Sequence, residues 1–156
     1  MAKKPYISPS QVGTYTKCGE AFRRRYVEHE KIPPGISLLK GRAVHKGSEY
    51  NFKQKVESHV DLKAKDIVDY SVADFETTKE KEGLLLNREE ESRGASIVIG
   101  DAKDSTKDLS GLYAREVAPK YQPVGVEEEV FTELPSSSHD LKGYIDLRTD
   151  DKKILD

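Results

Sequence analysis

Around Pro119 to Pro123 the chain changes period, and that change limits the folds open to it. Upstream, apolar residues recur at helical spacing. Downstream, Val124, Val126, Glu128 and Val130 alternate with other residues, the pattern of a half-buried strand. Pro135 to Asp140 is a polar loop, Leu141 to Arg148 a second strand, and Lys153 to Asp156 the start of a third. Helices first and strands afterwards point to an α+β fold rather than alternating βαβ units. The expected architecture is an N-terminal helical region followed by an antiparallel β-meander. It divides into helices over 1–58, a helical insertion over 59–120 and core strands over 121–156, all within one domain.

The helical part opens on a strong start signal. Ser8-Pro9-Ser10-Gln11 offers Ser as N-cap, Pro in the first turn and Gln to complete a capping box. Val12, Tyr15, Phe22 and Tyr26 then fall on one helix face, with a break expected beside Cys18 at Gly19. Ile32-Pro33-Pro34-Gly35 ends the segment. A second helix is expected over 37–58, with Gly41 and Gly47 flanking His45 and permitting close approach by another backbone. Residues 61–118 carry short apolar runs among charges and suggest two or three helices. One of these is an amphipathic segment on Leu109, Leu112, Tyr113 and Val117 that stops at Pro119.

Composition narrows the setting. Of the 156 residues 35% are charged, so the core is thin and the helices are well solvated. A net charge of −2 gives no global basic field for nucleic acid, though a local basic patch beside an acidic site is compatible with it. The single cysteine, Cys18, excludes an internal disulfide and suits a reducing compartment. No stretch approaches the roughly 20 apolar residues of a membrane span, and the N-terminus lacks a signal-peptide core. Cytoplasmic location and no membrane partner are the expectations.

The last strands carry the chemistry. Asp is disfavoured inside a strand, so Asp146 after Tyr144-Ile145 needs a reason. Two carboxylates on adjacent strands can share a hard divalent cation, which polarises a phosphate and lowers the pKa of a bound water. A three-residue loop at Thr149 to Asp151 would set Asp146 opposite Ile154 and leave Asp156 diagonal on the same face. A two-residue turn at Asp150-Asp151 would separate the acids onto opposite faces. Solvent-facing strand-end acids are the alternative. His45 reads as a metal ligand or as a capped polar residue, and Cys18 as a cluster ligand or a small buried packing residue. Arg23, Arg24 and Arg25, with Lys40, Arg42 and Lys46, read as phosphate contacts or as a solvated helix face.

Taken in order, these features resemble the RecB-type branch of the PD-(D/E)XK nuclease superfamily. The match runs through the Ser8-x-Ser10 helix with Tyr15 and Cys18, Gly41-x-x-x-His45, Glu127 on the first core strand and Gly143-x-Ile145-Asp146. It ends at Asp156 as the first half of an acid-x-Lys motif. The resemblance implies a restriction-endonuclease-like core that hydrolyses DNA phosphodiesters, as an exonuclease, with Mg²⁺ or Mn²⁺. Asp146, Asp156 and His45 would hold the metal, and Glu127 would serve as an accessory catalytic acid. Arg23, Arg24, Arg42 and Lys46 would be the DNA contacts. It also implies partners such as a helicase, an annealing protein or a CRISPR-adaptation protein. The family's lysine would fall two residues past Asp156, so these 156 residues are expected to be an inactive fragment. An iron–sulfur cluster through Cys18 is expected only in an intact protein that also has late cysteines. Gly19, where many relatives have Pro after the Cys, departs from the pattern. A non-catalytic DNA-binding or assembly module of the same fold is the competing expectation. A generic helical interaction domain, a third, predicts His45 well beyond about 10 Å from Asp146.

Overall fold

The computed structural model describes residues 4–155, so Asp156 lies outside the described residues. A short strand β1 (Tyr6–Ile7) leads into α1 (Pro9–Lys17), capped by Ser8. Both halves of the capping box form: the Ser8 hydroxyl accepts from the Gln11 N–H, and the Gln11 side chain accepts from the Ser8 N–H. Cys18 is extended (φ −159°, ψ 108°) and breaks the helix before α2 (Gly19–Phe22) and a π-helical turn, Arg23–Val27. Tyr15, Phe22 and Tyr26 touch ring to ring, at centroid separations of 5.4 and 5.2 Å. They do not form a buried face, however. Val12 is 49% and Tyr15 64% exposed, and no residue of α1 or α2 is buried.

Three long helices make the body: α3 (Ile36–Ser58), α4 (Ala64–Glu82) and α6 (Ala95–Leu112), with a short α5 (Arg88–Arg93) before the last. Their buried positions follow the i, i+4 row. On α3 the row is Leu39, Ala43, Gly47, Asn51 and Lys55, on α4 Ile67, Ser71 and Phe75, and on α6 Val98, Ala102, Thr106 and Ser110, with Phe52, Thr78 and Gly111 buried beside it. Rows of this kind interdigitate as ridges into grooves. Small residues let the backbones close in, and at Gly47 an added Cβ would lie 2.0 Å from the Ser71 hydroxyl oxygen. Gly41, by contrast, has nothing within 4 Å. Leu39, Ala43, Phe75 and Ala102 form the apolar centre. The segment expected to bury Leu109, Leu112 and Val117 leaves all three substantially exposed. The buried row of α6 instead runs through Thr106 and Ser110.

Among the described residues the sheet has four strands in two orientations. β2 (Pro123–Thr132) and β3 (Asp140–Thr149) pair antiparallel over their full length. β4 (Ile154–Leu155) pairs antiparallel with the end of β3, and β1 pairs parallel with its start. The sheet is therefore mixed rather than a pure meander, because the N-terminal strand joins it. Buried polar contacts then fix α3 relative to the sheet. Lys55 donates to Asp61 and to the Ala118 carbonyl, both at 2.8 Å, and Gln122 donates to the Lys55 carbonyl at 3.1 Å. Asn51 holds Asp61, the Leu62 N–H and the Tyr113 hydroxyl.

Candidate metal centre

The helix α3 and the strand pair β2–β3 meet at three side chains. In the ladder, the pairs Val126–Leu147 and Glu128–Ile145 bracket Glu127 and Asp146, making them cross-strand neighbours. Directly opposed residues hold their Cβ atoms about 5 Å apart, within reach of one ion. His45 faces both. Its Nε2 lies 2.8 Å from the Glu127 Oε1, and its Nδ1 lies 3.7 Å from the Asp146 Oδ2. The first is a hydrogen bond; the second is an approach without one. This proximity removes the generic helical-domain expectation, which needed His45 far from Asp146.

Glu127 sits at φ 53°, a left-handed conformation in the middle of a strand. For a non-glycine residue that costs on the order of 1–3 kcal/mol, and such strain clusters at functional sites. Local backbone departures of this sort re-aim side chains, and here the carboxylate reaches His45. One ligand atom from each of the three residues lies within 4.8 Å of the others. A divalent cation would be held by His45, Glu127 and Asp146 and would supply Lewis-acid chemistry to the cleft. Two carboxylates and an imidazole suit a divalent ion of the Mn²⁺ kind.

The three residues line one cleft with a volume of about 180 Å³, walled by Phe52, Val126, Leu147 and Leu155. Glu49 also lines it, one helical turn beyond His45, and the sequence reading missed it. The only signal in the sequence was its i+4 spacing from His45 on the same helix. Burial works against the Glu49 charge, but hydrogen bonds from Lys46 and Lys53 outweigh it and hold the carboxyl below the usual range. Lys46 is raised in turn, first by that bond to Glu49 against its own partial burial. The nearby Glu127 charge adds to the rise.

The other candidate residues fall elsewhere. Arg23 and Arg24 both bind Glu20, at 2.8 Å, and Arg23 also pairs with Glu28. Arg42 makes a bidentate pair with Glu82 at 2.8 and 2.9 Å. Of the expected phosphate contacts, Arg23, Arg24, Arg42 and Lys46 thus each have a carboxylate partner, while Arg25 lies over the Tyr26 ring. Cys18 is exposed, which overturns the buried packing alternative; its Sγ caps α2 from the Ala21 N–H at 3.4 Å. The β3–β4 loop has three residues as one alternative required, but it starts one position later. Thr149 N–H donates to the Lys153 carbonyl, and Lys152 takes φ 65°. Leu147 therefore pairs with Leu155, so Ile154 faces Arg148 and not Asp146.

With this geometry in place, a family comparison is decisive. The model of the PD-(D/E)XK nuclease superfamily matches residues 6–156. The chain belongs to the PD-(D/E)XK nuclease superfamily. Neither a curated protein nor a solved structure matches it. Membership implies a nuclease, with DNA as the substrate class and a divalent ion as the cofactor class, and the His45, Glu127 and Asp146 group could hold such an ion. Among the described residues no helix is long and apolar enough to cross a membrane.

Proposed function

We propose that this PD-(D/E)XK chain carries the metal site of a DNA exonuclease centre of the RecB type. The observation that carries the reading is the convergence of His45, Glu127 and Asp146 from one helix and two strands. A Mg²⁺ or Mn²⁺ ion held there would supply a polarised phosphate and an acidified water. Asp146 and His45 would be direct ligands, and Glu127 would bind the ion or its water. Asp156 is proposed as a further ligand. Its support is the β3–β4 ladder, in which the pairs Arg148–Ile154 and Leu147–Leu155 step toward Asp146. The Gly41 to His45 and Gly143 to Asp146 motifs support the RecB-type assignment. Glu49, fixed by two lysines at the cleft wall, would hold the surrounding charge in place.

The test is Mn²⁺ binding by titration calorimetry. The parent chain should bind one ion, and Asp146→Asn should lose at least tenfold in affinity without a change in fold. Equal binding by the two proteins would remove the chemical basis of the nuclease reading.

A further inference from the structure

A second cavity, of about 640 Å³, lies outside the metal cleft. Arg25, Lys31, Arg42 and Lys81 line it, with Glu30 and Glu82 as the acids. Its size is that of an ordinary ligand site. Glu82 is held by Arg42, so the remaining cations outnumber the remaining acid. Among the described residues the side chains of Lys31 and Lys81 make no ion pair or hydrogen bond, although the Lys31 charge, after the Arg42 bond, helps hold the Glu82 carboxyl below its usual range. Ammonium groups that line a concavity without a hydrogen-bonded partner are available to an anion.

Helix α3 joins this cavity to the metal cleft. Leu38 and Arg42 line the cavity, and His45 and Glu49 line the cleft. These four positions, spaced four, three and four residues apart, form one stripe of a 3.6-residue helix. The stripe lies beside the buried row Leu39, Ala43, Gly47; Leu38, Arg42 and His45 stay open to solvent, with Leu38 57% exposed, while the Glu49 side chain is largely buried. From Leu38 to His45 the helix rises about 10 Å, seven residues at about 1.5 Å each. A nucleic-acid strand advances about 3.4 Å per nucleotide, so that span is about three nucleotide steps.

We propose that the cavity is a phosphodiester subsite, in which Lys31 and Lys81 take backbone phosphates of a DNA strand about three nucleotides from the metal cleft. Pro33 and Leu38 form apolar walls that a sugar or base can lie against. Arg42, engaged with Glu82, shapes the wall and does not contact phosphate. The proposal rests on the nuclease reading for its substrate.

The experiment is fluorescence anisotropy of a labelled oligodeoxythymidine in Ca²⁺ buffer across a salt series. It compares the parent chain, Lys31→Ala/Lys81→Ala and a control, Lys65→Ala/Lys107→Ala, whose lysines pair with Asp69 and Asp104. Losing two phosphate contacts should flatten the log–log salt slope by about 1.4 for single-stranded DNA, with weaker binding throughout, while the control keeps the parent slope. Thermal melts should coincide, since neither lysine holds another residue. A parent-like slope and affinity in Lys31→Ala/Lys81→Ala overturns the subsite, and so does an equal loss in the control. Mn²⁺ calorimetry on the same proteins separates the two readings. A slope that falls with no Asp146-dependent Mn²⁺ binding leaves a phosphate-binding cavity on a non-catalytic module. Intact Mn²⁺ binding with an unchanged slope leaves the metal centre and removes the subsite.

Discussion

Gly47→Ala tests whether the α3–α4 contact is as close as the structure has it. Inside a helix the substitution alone should stabilise by about 1 kcal/mol. Here the new Cβ would lie 2.0 Å from the Ser71 oxygen and 3.3 Å from both the Ser71 Cβ and the Ile67 carbonyl. Ser71 is fully buried and donates to that carbonyl at 2.9 Å, so it cannot turn away without losing a hydrogen bond. Overpacking costs about 1–3 kcal/mol and the lost bond about 1 kcal/mol. Clash therefore outweighs propensity, with a net loss of about 2 kcal/mol. For a chain of this size that lowers the melting temperature by about 4–8 °C. Urea denaturation should show the loss at an unchanged m-value, and Gly47→Ala/Ser71→Ala should recover at least half of it. Gly41→Ala, with nothing within 4 Å, should instead stabilise by about 0.5–1 kcal/mol. Equal stability of the two single variants would refute the close approach.

Other substitutions probe separate links. Glu127→Gly removes a left-handed glutamate, so stability should hold or rise by about 1 kcal/mol in urea while Mn²⁺ affinity falls; a clear destabilisation would count against stored strain. Lys55→Met leaves Asp61 and the Ala118 carbonyl without their donor. It should cost about 3 kcal/mol in the same assay, the low end for a broken buried pair because Asp61 retains some exposure. The Leu134 N–H, and then Lys4, hold the Asp140 carboxyl below its usual range. A lowered folded pKa stabilises above the unfolded value near 3.9 and is lost as pH falls through the folded one. The melting-temperature gap between parent and Asp140→Asn should therefore close on acidification below about pH 4; a constant gap would refute the linkage. Cys18, being exposed, should react with one equivalent of a thiol reagent without denaturant.

Features carried by neighbouring residues were legible before any coordinates. The Ser8 capping box, the break at Cys18, the reach of α3 and the strands after Pro123 all depend on local chemistry. The helices between 61 and 118 were harder to place because their buried rows use Ser71, Thr106 and Ser110, which no apolar periodicity flags. Strand β1 was hidden for a different reason: two residues carry no pattern, and their partner lies at Asp140 and Leu141. The turn shifted by one because Lys152 adopts a left-handed angle with no glycine to announce it. At the site, His45, Glu127 and Asp146 were readable as motif positions, although spacing could not show that they meet. Lys31 and Lys81 were invisible as a pair, since only the folded chain brings the Pro33 loop and the end of α4 together.

The hydrogen bond between His45 and Glu127 joins positions 82 apart in the chain. Helical segments close on local contacts, whereas a contact of this span closes a long loop at a larger entropic cost, and such contacts slow folding. The ligand set exists only in molecules whose sheet has docked on α3. An ion that binds this set and not the unfolded chain draws the population toward the docked state by mass action. Divalent metal would thus serve the protein twice, as a chemical reagent and as a checkpoint on its own assembly.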